Sequence, residues 1–161
     1  MINSIGQLGL RLWVAQFFIF AGLKKLEHSD GLFGGGWFAD VTMNYPLGLG
    51  LLGDEVNWFL ATTGELVFGT ALLVGVATRL NAAALLFVTF VAVYAPPLNV
   101  HWAHGWAGWD NISGGFQVPL MAAVMLLAII ASGPGKISVD NFIGKIDPTR
   151  FFPKSKQEWD E

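Results

Sequence analysis

Glu65 lies in an apolar run that leaves little choice about its surroundings. Residues 64–79 read GELVFGTALLVGVATR, with no second ionisable side chain before Arg79. A carboxylate at such a depth costs on the order of 2.5 to 3.5 kcal/mol on insertion scales, so it faces a partner, a cavity or a pathway instead of lipid. The run is too long and too bare of polar residues for an ordinary soluble helix. It points to an integral membrane protein with a polar interior site.

Composition agrees. The chain has 161 residues, 53% hydrophobic and 13% charged, with mean hydropathy +0.53, whereas soluble domains carry roughly 25% charged residues. Formal net charge is -3 and the basic residues are scattered. No stripe of Lys and Arg follows a phosphate backbone, which argues against a nucleic-acid partner. With no cysteine, the chain carries no disulfide, thiol nucleophile, iron–sulfur cluster or Cys-bound zinc. Redox chemistry then has to come from a bound cofactor or a partner. The first apolar run is interrupted by Arg11 and followed by Lys24 and Lys25 without a small-residue cleavage site, so it is expected to be a retained span and not a signal peptide.

Four apolar segments organise the sequence, at about residues 5–23, 58–76, 80–94 and 116–130. The first two are about one bilayer long as helices, and the last two are shorter. Pro96 and Pro97 stop the third, and the run Gly133, Pro134, Gly135 stops the fourth, because neither pattern continues a helix. The expected fold is all-α, an antiparallel four-helix transmembrane bundle over residues 1–140 with an interfacial tail over 141–161.

Basic residues orient it. Arg79 follows the second segment, and Lys136, Lys145, Arg150, Lys154 and Lys156 follow the fourth, while the connection between the third and fourth has none. The positive-inside rule then puts both termini in the cytoplasm. Lys24 and Lys25 oppose the rule, and side chains near a helix end can snorkel or pair inward. Trp37, Trp58, Trp102, Trp106 and Trp109 fall on the outer side, where indoles settle as an aromatic belt.

Helical geometry sorts the remaining charges. Arg11 and Lys25 are fourteen residues apart, which is about 40° on a helix, whereas Lys24 points away. Glu65 and Arg79 have the same spacing. Lys25 and Glu65 fall in the outer half of the bundle, Arg11 and Arg79 near its inner boundary. A pair between Lys25 and Glu65 is feasible, either as a structural ion pair or as part of a polar pocket for an anionic or quinone-like ligand. Gly64, Gly69, Ala71 and Gly75 permit close helix approach.

The same residues carry a family resemblance. LRL at 10–12, FAGLKKL at 20–26, GEL at 64–66, GVATRLNAA at 75–83 and GPGKISVD at 133–140 resemble, in order and spacing, the successive signatures of the DoxX family over roughly residues 8–140. The resemblance implies a small bacterial inner-membrane protein with four helices, and puts Arg11, Lys25, Glu65, Arg79, Ser138 and Asp140 on the family's patterned positions. It also implies a redox neighbourhood, since the related DoxD branch is a subunit of thiosulfate:quinone oxidoreductase and other members are associated with oxidative-stress or metal-responsive membrane complexes. Fold-level analogy does not assign chemistry.

The outer loops depart from that pattern. LFGGGWF at 32–38 lacks the charged turn of a phosphate-binding loop and reads as a re-entrant or interfacial segment. Residues 99–110 carry His101 and His104 in an H-x-x-H spacing with Trp106 and Asp110. His101 and His104 on one helix face have metal-ligand spacing, with His28 or Asp110 as further ligands; the alternatives are a quinone headgroup bonded by His and stacked on Trp, or simple interfacial solvation. The tail mixes Phe142, Ile143, Ile146, Phe151 and Phe152 with basic residues, suiting the cytoplasmic leaflet or a soluble oxidoreductase subunit.

The sequence therefore reads as a multi-pass inner-membrane protein in contact with lipid, an accessory or quinone-facing subunit of a membrane redox system. A non-enzymatic carrier or an assembly scaffold is the competing class. Quinone is the expected cofactor ahead of metal, and a homo-oligomer is compatible with this reading.

Overall fold

The computed structural model describes residues 2–27, 31–40, 43–95 and 117–146. Among these residues every regular element is a helix. The helices are α1 (Ile2–Leu26), α2 (Gly53–Val74), α3 (Thr78–Tyr94), α4 (Gln117–Ser132) and α5 (Val139–Ile146). Two helical segments, Ile5–Leu26 and Leu49–Val74, are long and apolar enough to cross a membrane, and α3 and α4 are shorter apolar helices. α5 runs across residue 140, where the sequence reading divided bundle from tail.

α1 packs most extensively on α2, and α3 on α4; α2 also meets α3, and α1 meets α4. Val14, Ala15, Phe18, Leu72, Ala82, Leu85, Ala122, Leu126 and Ile129 form the shared core. The exterior is unusually apolar, and polar side chains are buried beside the core. Trp13 and Phe20 are each 62% exposed and Leu80 is 72% exposed, while Arg11, Thr62, Glu65, Thr78, Asn81 and Thr89 are buried. Soluble proteins rarely show large contiguous apolar surface around a polar interior; a lipid-facing exterior accounts for it.

α1 and α2 run antiparallel, and glycines set their separation. A Cβ on Gly22 would stand 2.7 Å from Leu66 Cγ, and one on Gly69 would stand 3.1 Å from Ile19 Cγ1 and 3.4 Å from the Ala15 carbonyl. Of the glycines expected to permit close approach, Gly69 does so. Gly64 is looser, with Phe68 and Val88 at ordinary contact distance, and Gly75 is a turn residue. Its φ of +82° ends α2, a conformation that glycine adopts without a side-chain penalty.

Residues 31–40 and 43–52 form a cap across one end of α2. The Trp58 indole N–H donates to the Gly31 carbonyl at 2.9 Å, and the Phe38 ring meets it edge-on at 5.1 Å. Gly36 lies flat on the same indole, where a Cβ would come within 2.4 Å. Asn57 donates to the carbonyls of Leu49 and Gly53, both at 2.8 Å, and the Asn44 N–H reaches the Ala95 carbonyl at the end of α3. Trp58 is thus 1% exposed and is no member of an aromatic belt: an indole buried with its one donor satisfied anchors the cap instead.

Candidate functional site

The patterned residues collect at two polar stations on the α1–α2 seam. Along α1 the buried positions Arg11, Val14, Ala15, Phe18 and Gly22 repeat every three to four residues, and Lys25 continues the series. Along α2, Trp58, Thr62, Glu65, Gly69 and Leu72 do the same. Fourteen residues of one helix separate Arg11 from Lys25, so the two stations lie roughly 21 Å apart along α1 at 1.5 Å per residue.

At the first station Lys25 Nζ donates to Glu65 Oε1 at 2.5 Å, with the two side chains 16% and 6% exposed. Lys24 points outward and is exposed. Glu65 Oε2 is buried and accepts no hydrogen bond from any of the described residues. Neighbouring Thr62 contributes nothing to it, because its hydroxyl donates to the Trp58 carbonyl at 2.8 Å. The pair therefore offers an unspent acceptor oxygen beside an ammonium that has two further N–H donors.

At the second station Arg11, 3% exposed, donates through Nη1 to the Pro134 carbonyl and through Nη2 to the Ile137 carbonyl, both at 2.7 Å; its Nε has no partner among the described residues. Asp140 accepts from the Ala77 N–H at 2.6 Å, the Thr78 N–H at 2.8 Å and the Thr78 hydroxyl at 2.7 Å, and its own N–H donates to the Gly75 carbonyl at 3.0 Å. α3 has no side-chain cap of its own, and Ala77 before it sits at φ +43°. Asp140 serves as a remote cap for the first N–H groups of α3, the role that a local Asp or Ser side chain usually plays. Partial burial by itself would raise the Asp140 carboxyl, but the hydrogen bonds from Thr78 and Ala77 and the Arg11 charge outweigh it and hold the group below the ordinary carboxylate value. Ser138 caps α5 locally, accepting from the Asn141 N–H at 3.1 Å and donating to the Gly135 carbonyl at 3.0 Å.

Arg79 joins neither network. It is exposed at the start of α3 and lies beside Gly133, where a Cβ would stand 3.2 Å from its Nη2. His101, His104, Trp106 and Asp110, with His28, lie outside the described residues. Among the described residues no three metal-binding side chains converge. The cap holds an open cleft of about 450 Å3 lined by Asp40, Met43, Tyr45 and Asp54 among others. There the Tyr45 hydroxyl donates to Asp54 Oδ1 at 2.8 Å. Burial, then this carboxylate, push the Tyr45 hydroxyl well above its usual range.

Comparison with known proteins decides the family. The DoxX family model matches residues 6–102, from the start of α1 through the paired lysine and glutamate to beyond α3. The chain belongs to the DoxX family. Among its relatives is an uncharacterised protein of Haemophilus influenzae, 32% identical over 152 residues that make up 94% of this chain and 92% of the relative. No solved structure matches. DoxX membership makes this a small membrane protein, in agreement with its apolar exterior. The family match includes Arg11, Lys25, Glu65 and Arg79 and stops before Ser138 and Asp140, so the remote cap belongs to a part of this DoxX protein beyond the matched residues. Sequence reading missed two contributors: Gly22, whose missing side chain lets α1 close on α2, and the donors of Ala77 and Thr78. The GLKK context of Gly22 was the one visible signal for the first.

Proposed function

We propose that this protein is a multi-pass protein of the bacterial inner membrane, an antiparallel four-helix transmembrane bundle with both termini cytoplasmic, that acts as an accessory, quinone-facing subunit of a membrane redox system. Residues 1–140 form the membrane domain and residues 141–161 its interfacial tail. One observation carries the ligand reading: a carboxylate 5% exposed is paired on one oxygen and bare on the other. A buried acceptor without a partner costs on the order of 1 to 3 kcal/mol, more when charged, and a pair kept only for packing has no use for it. A quinone headgroup has oxygens on an apolar ring that accept from the spare ammonium donors and, in its reduced form, hydroxyl groups that donate to the bare oxygen, and it partitions into the same apolar phase. Buried polar side chains in membrane helices mark ligand or ion sites by default.

In this topology the segment bearing His101, His104, Trp106 and Asp110 lies on the Glu65 side and tunes ligand choice, with loops carrying specificity on a rigid scaffold. Native mass spectrometry of the protein extracted in gentle detergent tests the reading. The wild type retains a quinone mass and Glu65→Leu, which neither donates nor accepts, loses it; phospholipid adducts alone on the wild type would contradict it. Orientation is tested with single cysteines at Ser4, Gly105 and Ser155 in the cysteine-free chain. An impermeant thiol reagent on intact cells labels position 105, and labelling of 155 with 105 spared reverses the topology.

A further inference from the structure

We infer that the pair of Lys25 and Glu65 selects the reduced, hydroxyl-bearing form of a quinone over the oxidised form; this rests on the quinone-facing reading above. The two forms differ in what they present to a polar site. The oxidised ring has carbonyl oxygens, which only accept hydrogen bonds, and the reduced ring has hydroxyl groups, which donate as well as accept. Glu65 is joined to Lys25 through Oε1, and an ionised carboxylate has acceptors only. Its bare oxygen, Oε2, is therefore matched by an incoming O–H and opposed by an incoming carbonyl.

The surroundings reinforce this choice. Thr62, one turn before Glu65 on the same buried stripe, has its hydroxyl turned to the Trp58 carbonyl and is not available to serve a ligand carbonyl. The Trp58 indole N–H is engaged with the Gly31 carbonyl. Asn57 has its amide N–H groups on two backbone carbonyls. Among these polar side chains of α2 between the cap and the pair, each donor is already spent on backbone, and the unspent group is an acceptor. Lys25 keeps two further N–H donors beyond its bond to Glu65, and these serve an oxygen of either form alike, so the bare Oε2 is what tells the two forms apart. A hydroxyl on Oε2 makes a charge-assisted bond, shorter and stronger than a neutral one, and it removes the cost of the unmatched oxygen. An oxidised quinone leaves that oxygen bare and places a second lone-pair oxygen near it.

A hydroxyl is not the only donor in a membrane; the ammonium headgroup of phosphatidylethanolamine is another. The test therefore uses the full-length protein in phosphatidylcholine nanodiscs, which lack that donor. Decylubiquinol, kept reduced with excess dithionite, and decylubiquinone are titrated separately, and binding is read from quenching of tryptophan fluorescence. The wild type is expected to bind the reduced form about tenfold more tightly, the factor that one matched buried hydrogen bond supplies. Glu65→Gln, whose amide both donates and accepts, brings the two affinities together. Glu65→Asp keeps a carboxylate and so keeps the preference with weaker binding of both forms, which guards against a Gln variant that fails to assemble. Equal or tighter binding of the oxidised form by the wild type, or an undiminished preference in folded Glu65→Gln, overturns the inference while leaving a quinone site in place. Binding of neither form overturns the quinone-facing reading itself. A fluorescence response to added phosphatidylethanolamine that Glu65→Gln abolishes, with no response to either quinone form, assigns the bare oxygen to a lipid and overturns both.

Discussion

The two carboxylates on the seam make an instructive comparison. Asp140 receives three hydrogen bonds, two from backbone and one from a hydroxyl, with the Arg11 guanidinium near it. Glu65 is far more deeply buried and receives one. Desolvation demands more partners at the deeper site, yet that site has fewer. A group whose oxygens are all matched is a structural joint: it fastens α5 to the α2–α3 turn and, through Arg11, both to α1. A group left half matched where an unmatched oxygen is costly is poised for something outside the chain.

Four measurements break or sharpen that comparison. The largest effect is expected from Lys25→Met, which strands a buried carboxylate and lowers stability in detergent by about 3 kcal/mol. Adding Glu65→Gln to it recovers most of the loss, because removing both partners of a buried pair is often near neutral. Additive losses would show that the two residues do not meet. Asp140→Ala comes next at about 2 kcal/mol, the worth of a helix cap and its hydrogen bonds, measured by thermal unfolding. Here a second change, Arg11→Met, deepens the loss, since Arg11 holds the carbonyls of Pro134 and Ile137 independently.

Gly75→Ala is smaller, about 1 to 2 kcal/mol for a side chain at φ +82°, with crowding of Arg11 Nη1 and Ser138 as the second contribution. It leaves quinone retention unchanged if the stations are independent. The smallest effect is on pH dependence. Because the Asp140 carboxyl is held low in the fold, its contribution is complete above the ordinary carboxylate value and is lost as pH falls through the lowered one. Melting temperature therefore drops below about pH 4 in the wild type, and Asp140→Asn flattens that part of the profile. Solvent near the group keeps the change modest.

How much of this was legible in the sequence depended on whether the signal was local. Arg11 and Lys25 lie within one unbroken helix, so fourteen residues of spacing carried the angle between them, and the choice of Lys25 over Lys24 followed from it. The same arithmetic from Glu65 to Arg79 crossed the end of α2. Gly75 at φ +82° and Ala77 at φ +43° reset the chain direction, and Arg79 came out on the surface. Apolar run length and its Pro and Gly stops located the helices, because a span facing lipid stays apolar along its whole length. They gave no sign that Asp140 caps a helix starting 62 residues earlier, since a remote cap leaves no local trace. Trp58 was misread for a related reason. An interfacial indole and a buried one have the same sequence context, and only the Gly31 carbonyl and the Phe38 ring tell them apart.

Infrared difference spectroscopy of ligand binding tests the contrast between the two stations most directly. Spectra of the protein in phosphatidylcholine nanodiscs are recorded with and without decylubiquinol, and the carboxylate stretching region is compared among wild type, Glu65→Gln and Asp140→Asn. The account predicts that binding perturbs one carboxylate band in the wild type, that the band survives in Asp140→Asn, and that it vanishes in Glu65→Gln. A perturbation that persists in Glu65→Gln and disappears in Asp140→Asn would assign the ligand to the opposite end of the seam and contradict the account.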